Sequence, residues 1–127
     1  MKLLVDTHLL LCAAGDILPG EALPYFTDES NTLFFSGASI WEVTVKKGLN
    51  RPDFNVDPSA LYWGLLYNGY NELEVSSQHA LALADLPPIH RDLFDRILIA
   101  QAKAEGAALL TSDYNLSQYS PVIYVRK

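Results

Sequence analysis

Four carboxylates stand where this chain should turn from a strand into a helix or begin a helix: Asp6, Glu42, Asp95 and Asp113, with Asp92 as a fifth. If they converge, two like charges about 4 Å apart repel by several kcal/mol at an effective dielectric near 20. A cluster of three or four must therefore take up protons or hold a cation. A divalent metal is the simpler answer. All-oxygen ligands suit Mg²⁺, with Mn²⁺ as a substitute, and the three histidines, His8, His79 and His90, lack the close pairing of a zinc site. Mg²⁺ held by few protein ligands keeps waters, one of which can become the hydroxide that attacks a phosphodiester. The chemistry indicated is metal-dependent phosphoryl chemistry.

Each acid also has a plainer use. Asp95 shares a helical face with Phe94, Leu98, Ile99 and Ala102, which points it inward, but a carboxylate in a first helical turn also answers the helix dipole. Asp92 lies on the face of Arg96 and Lys103, where it can cap the helix and pair with Arg96. Glu42 and Lys46 have the favourable i,i+4 orientation on a solvated helix, and Asp113 follows Leu110-Thr111-Ser112 in a turn where Asp is a common cap. Asp6 resists such an account, because it ends an apolar strand where an unpaired charge is expensive.

Positioning these residues falls to alternating elements. Strands are expected at Lys2–Val5, Thr32–Phe35, Glu72–Val75, Ala107–Leu110 and Val122–Val125. Between them, helical spacing occurs just after Thr7, near Glu21–Glu29, and over Ser39–Lys47, Pro58–Tyr70, Ser77–Ala84 and Asp92–Glu105. Pro19-Gly20 opens one helix, Gly48 closes another, Asp57-Pro58 caps a third and Gly106 ends the last. Leu86-Pro87-Pro88 reads as a rigid connector, and Asn50–Asp57 as a surface loop. The alternation predicts an α/β fold of three layers, α/β/α, around a mostly parallel five-stranded sheet, with binding loops at the carboxyl ends of the strands. Residues 1–127 form one domain on this reading, without repeats or low-complexity segments.

Half the residues are hydrophobic and 19% are charged, which excludes a disordered or fibrous chain. Fifteen acids against nine Lys and Arg leave a net charge of −6, so no general basic surface advertises nucleic acid or an anionic membrane. Any nucleic-acid role must rest on a local site. Cys12 is the only cysteine and reads as a small apolar core group. Lys2 and the apolar stretch to Ala13-Ala14-Gly15 faintly suggest a signal peptide, but Asp6 and His8 interrupt it. No run reaches the 18 or so residues of a membrane span, and a cytoplasmic protein is expected.

Leu-Leu-Val-Asp6-Thr7-His8, Ser36-Gly-Ala-Ser39-Ile-Trp41-Glu42-Val, His90-Arg91-Asp92-Leu93-Phe94-Asp95-Arg96 with the Ile-Leu-Ile-Ala-Gln-Ala that follows, and Leu-Leu-Thr111-Ser112-Asp113 occur in that order. Together they resemble the PIN domain, most closely its VapC-type toxin branch, over the whole chain. The resemblance implies a metal-dependent ribonuclease, the toxin of a type II toxin–antitoxin pair. Asp6 and Asp95 would be the most constant Mg²⁺ ligands, while Glu42 and Asp113 would act directly or through water. Thr7, Ser39, Thr111 and Ser112 would orient waters or acids through their hydroxyls. Leu93 stands where relatives often carry proline, which bears on where that helix begins.

The resemblance brings an RNA substrate, for which Lys46, Lys47, Arg51, Arg91, Arg96 and Lys103 are candidate phosphate contacts. Trp41, Tyr62, Trp63, Tyr67 and Tyr70 could stack bases, but aromatics at helical spacing better suit an antitoxin groove or a homodimer surface. Two rivals remain: a noncatalytic PIN-like partner-binding module, and a phosphatase or phosphoacceptor domain with an acid after its first strand. The second lacks the usual aspartate two residues on, where His8 stands.

Overall fold

The computed structural model describes residues 1–89 and 92–127. Its strands are β1 (Lys2–Val5), β2 (Thr32–Ser36), β3 (Asn71–Leu73), β4 (Ala108–Thr111) and β5 (Val122–Tyr124). Its helices are α1 (Thr7–Ala14), α2 (Leu23–Thr27), α3 (Gly37–Gly48), α4 (Pro58–Tyr67), α5 (Ser77–Ala82) and α6 (Leu93–Glu105). Single 3₁₀ turns occupy Leu83–Asp85 and Tyr114–Leu116. The strands form one sheet in the order β3-β2-β1-β4-β5, and every pairing is parallel. The expected mostly parallel sheet is thus wholly parallel.

Side chains on successive strand residues point to opposite faces. Leu4 and Leu109 enter one core with Leu98, Ile99 and Leu116. Val5 and Leu110 enter the other with Leu9, Leu10, Leu61 and Leu65. The sheet is therefore covered on both faces, which gives the three layers. Since β1 is central and the chain leaves it first toward β2 and β3 and later enters β4 and β5 on its other side, the order reverses there. Open α/β sheets bind ligands at the carboxyl edge of such a reversal. Asp6 follows β1 at that point.

Several boundaries differ from the expected ones for local reasons. Strand β3 ends at Leu73 and not at Val75, because Gln101 Nε2 takes the Leu73 and Glu74 carbonyls and the chain then turns into the Ser76 cap of α5. Helix α3 begins at Gly37, two residues early, since the buried Ser36 hydroxyl accepts from the Ala38 N–H. Its left-handed exit lies at Asn50 (φ 53°) and not at Gly48. Helix α2 is shorter than Glu21–Glu29 and has no side-chain cap. Helices α4 and α5 also stop short, at Tyr67 and Ala82, the latter continuing as a 3₁₀ turn. Strands β2 and β5 shift by one residue at an end, and β4 by one residue at both.

Helix α6 starts at Leu93 without proline: Asp92 Oδ1 accepts from the Phe94 and Asp95 N–H groups, an N-cap that does the same work. Gly106 ends it at φ 65°, a left-handed position that disfavours any residue with a Cβ. A buried network ties this helix to the sheet. The Ser36 hydroxyl donates to Gln101 Oε1 (2.5 Å), Gln101 Nε2 lies 3.5 Å from His79 Nδ1, and His79 Nε2 meets Glu105 at 2.9 Å. Among the described residues, no helix is long and apolar enough to cross a membrane.

Candidate active site

Asp6 is the hub of the carboxyl edge. It caps α1 through Oδ1, which accepts from the Leu9 N–H (2.8 Å), and its Oδ2 accepts a short hydrogen bond from the Thr111 hydroxyl at the end of β4. Only 4% of the residue is exposed. Burial raises its pKa from 3.8 to about 6 against those two hydrogen bonds, and the charges of Asp113 and Glu42 push the same way. The structure thus brings Glu42 and Asp113 each within electrostatic reach of Asp6.

Glu42 reaches the edge from the second turn of α3 and is 7% exposed. Its Oε2 accepts from Lys46 Nζ at 2.8 Å, as the i,i+4 spacing predicts. Its buried Oε1 has no hydrogen-bond partner among the described residues. Asp113 is half-buried; Oδ1 accepts from the Asn115 N–H, and its own N–H donates to Thr111 Oγ1, both at 3.0 Å. Thr111 therefore connects Asp6 to Asp113. The Thr7 hydroxyl donates to Ser39 Oγ at 2.8 Å and joins the starts of α1 and α3. Ser112 Oγ is buried and, among the described residues, unpartnered.

Asp95 lies half-buried in the first turn of α6, and Asp92 is exposed at its cap. Phe94 packs edge-on against Trp41, centroids 4.8 Å apart, which sets this turn beside the helix that carries Glu42. Among the described residues, no group of three or more His, Cys, Asp or Glu side chains is gathered as a ready-made metal cage. The donor set still fits a hard divalent cation: Glu42 offers an oxygen with no other partner, and Asp6 a charge with no cationic partner among its interactions. Mg²⁺ is commonly held through one or two carboxylates with waters completing its shell.

The expected phosphate contacts are mostly engaged elsewhere. Lys46 holds Glu42, Lys47 donates to Asn55, Arg51 lies 3.8 Å from Asp53, and Arg96 donates to the Leu83 and Pro87 carbonyls. Lys103 stands in the last turn of α6, at the other end of the helix from Asp95. His90 and Arg91 lie outside the described residues. Cys12 is buried beside His8, and burial raises its thiol pKa, which leaves no reactive thiolate. On α4, Leu61 and Leu65 are buried while Trp63 and Tyr67 face outward. Sequence reasoning missed Tyr114, Tyr124, Arg126 and Lys127, which line a cavity running from Asp6 and Asp113 toward β5. Tyr114 directly follows Asp113, the one available signal.

The arrangement has counterparts among solved structures. Its fold is similar to VapBC2 from Rickettsia felis bound to a DNA fragment from their promoter, with a TM-score of 0.72 at 14% identity over 99% of this chain and 98% of that one. A toxin–antitoxin complex from Klebsiella pneumoniae gives 0.68 at 18% identity, covering 95% of each chain. VapC20 from Mycobacterium tuberculosis, described as a sarcin-ricin loop cleaving toxin, gives 0.62 at 19% identity, covering 98% of this chain and 99% of that one. No curated protein sequence matches significantly. The PIN domain family model matches residues 3–120, nearly the whole chain, and the chain belongs to the PIN domain family.

Proposed function

We propose that this chain is a metal-dependent endoribonuclease, the toxin of a type II toxin–antitoxin pair acting in the cytoplasm. The observation that carries the reading is the buried Asp6 carboxylate at the end of the central strand, facing the charges of Glu42 and Asp113. A fold keeps such a destabilising group when a ligand uses it. Membership in the PIN family and the likeness to VapC structures support the nuclease class. The phosphoacceptor alternative gains nothing from either.

Asp6, Asp95, Glu42 and Asp113 would hold Mg²⁺ or Mn²⁺, which when bound supplies Lewis acidity at a phosphate and lowers the pKa of water. The chain's own groups do the positioning. The Leu9 N–H and the Thr111 hydroxyl fix both Asp6 oxygens, so the carboxylate cannot rotate away. Lys46 fixes one Glu42 oxygen and leaves the other directed into the buried edge. Asp95 stands in the first turn of α6, at the positive end of the helix dipole. The Thr7–Ser39 hydrogen bond holds the starts of α1 and α3 together, and on this reading water attacks directly, with no covalent intermediate.

An antitoxin partner, in a hetero-oligomer or with a toxin homodimer, fits two findings: similar folds occur in toxin–antitoxin complexes, and α4 presents Trp63 and Tyr67 to solvent. The test is cleavage of total RNA by purified protein with Mg²⁺, Mn²⁺ or EDTA, alongside Asp6→Asn and calorimetric titration of Mn²⁺. Metal-dependent cleavage abolished in Asp6→Asn, with Mn²⁺ binding weakened in parallel, is expected. Full activity in EDTA, or metal binding that ignores Asp6→Asn, would overturn the reading.

A further inference from the structure

The cavity beside the acids has a volume of about 650 Å³ and a mixed lining. Asp6 and Asp113 share it with Tyr114, Tyr124 and Lys127. Tyr114 is 68% exposed and meets Tyr124 edge-to-face at 5.6 Å, an arrangement that covers at most one face of the Tyr114 ring. The open face is a stacking platform. Arg126 also lines the cavity, and Glu21 pins it there by accepting from both its backbone N–H (3.0 Å) and its Nε (2.8 Å). Ser112, 4% exposed, lines the same cavity, and its hydroxyl has no partner among the described residues. A donor left unmatched in a buried wall marks a place where a ligand oxygen fits.

We infer that this cavity binds one unpaired nucleotide of a single-stranded RNA, its base stacked on Tyr114 and its phosphate beside Lys127. The bond to be cut then lies toward Asp6 and Asp113. An aromatic platform beside a cationic rim is the combination that single-stranded nucleic acid requires, since every base has a face to stack and every linkage a charge. A duplex cannot use it, because its bases are already stacked. This is also how a chain of net charge −6 holds a polyanion: through one local site on the β4–β5 side where Lys127 meets the phosphate, while Arg126 stays with Glu21 and the lysines and arginines around α3 with their own partners. The inference rests on the proposed nuclease reading and adds the place where substrate lies.

The test uses the Asp6→Asn chain, which should not cleave, with a fluorescein-labelled ten-nucleotide single-stranded RNA and a duplex of equal length in Mg²⁺. Tyr114→Ala in that background should weaken single-strand binding by about tenfold, and Tyr114→Phe, which keeps the ring, should not. Lys127→Gln should make the salt dependence of binding shallower by roughly 0.7 in log–log slope, the loss of one phosphate contact. A change of less than about threefold in Tyr114→Ala overturns the subsite, as does duplex binding equal to single-strand binding or no measurable RNA binding. Failure of the nuclease reading shows separately, as wild-type protein that binds the RNA and leaves it uncut.

Discussion

Replacing Asp6 by Asn should stabilise the metal-free protein, and the amount follows from its surroundings. With a pKa raised from 3.8 in the unfolded chain to about 6 in the fold, the ionised carboxylate weakens the native state by about 3 kcal/mol above pH 6. The native state holds a proton between those two values that the unfolded state has released. Stability therefore falls as pH rises through that window and stays low above it. Asn still caps α1 but cannot accept from the Thr111 hydroxyl as the carboxylate does, which costs about 1 kcal/mol. The net gain near pH 7.5 is about 2 kcal/mol. With an unfolding entropy of roughly 2.1 cal/mol/K per residue over 127 residues, Tm should rise by about 7 °C. Below pH 4 the gain should vanish or reverse. Melts followed by circular dichroism in EDTA from pH 4 to 8 measure this, and Mg²⁺ in 100-fold excess over its Kd should stabilise the wild type by about 2.7 kcal/mol and the variant less. A variant that melts lower at pH 7.5 in EDTA, or a difference that does not change with pH, would refute the reasoning.

Asp95→Asn should lower RNA cleavage by more than the roughly 100-fold range typical of outer groups, whereas exposed Asp92→Asn, an equally good N-cap, should cleave close to wild type in a gel assay. Asp113→Asn keeps the turn cap at Asn115 and relieves repulsion on Asp6, so it should raise the metal-free Tm by less than Asp6→Asn while calorimetry shows weaker Mn²⁺ binding. Gln101→Leu strands the Ser36 hydroxyl in the core and should lower stability by about 2 to 3 kcal/mol, seen as a urea midpoint about 1 M lower with an unchanged m-value.

The alternation of elements was legible because apolar runs such as Leu3–Val5 and Leu109–Leu110 belong to strands buried on both faces, and buried parallel strands announce themselves by continuous hydrophobicity. The place of Asp6 at the carboxyl edge was legible for the same reason, since it closes such a run; its ordinary use as the N-cap of α1 was not read. Strand ends were harder to read, since β3 stops where Gln101, 28 residues beyond Leu73, takes that residue's carbonyl. Side-chain commitments were harder still. Nothing in the string shows that Lys47 reaches Asn55, or that Arg96 holds the Leu83 and Pro87 carbonyls. The β5 side of the site was illegible because Tyr124 and Arg126 join Asp6 only through the strand order, and pairing of strands far apart in sequence leaves no local signal.

That strand order also governs when the site can exist during synthesis. Strand β1 pairs with β4 through Leu3 and Ala108, and Thr111 and Asp113 meet Asp6 only once this pairing forms. At ribosomal rates, roughly 5 to 20 s of translation separate Asp6 from Asp113. A nascent chain that holds α1 to α5 has one half of its sheet and lacks the hydroxyl that orients its principal carboxylate. On the proposed nuclease reading, such a chain is inert toward the messenger and the ribosome beside it. The long sequence separation of β1 and β4 slows folding, and on the proposed nuclease reading that delay doubles as a safety interval: the site is complete only with the last fifth of the chain.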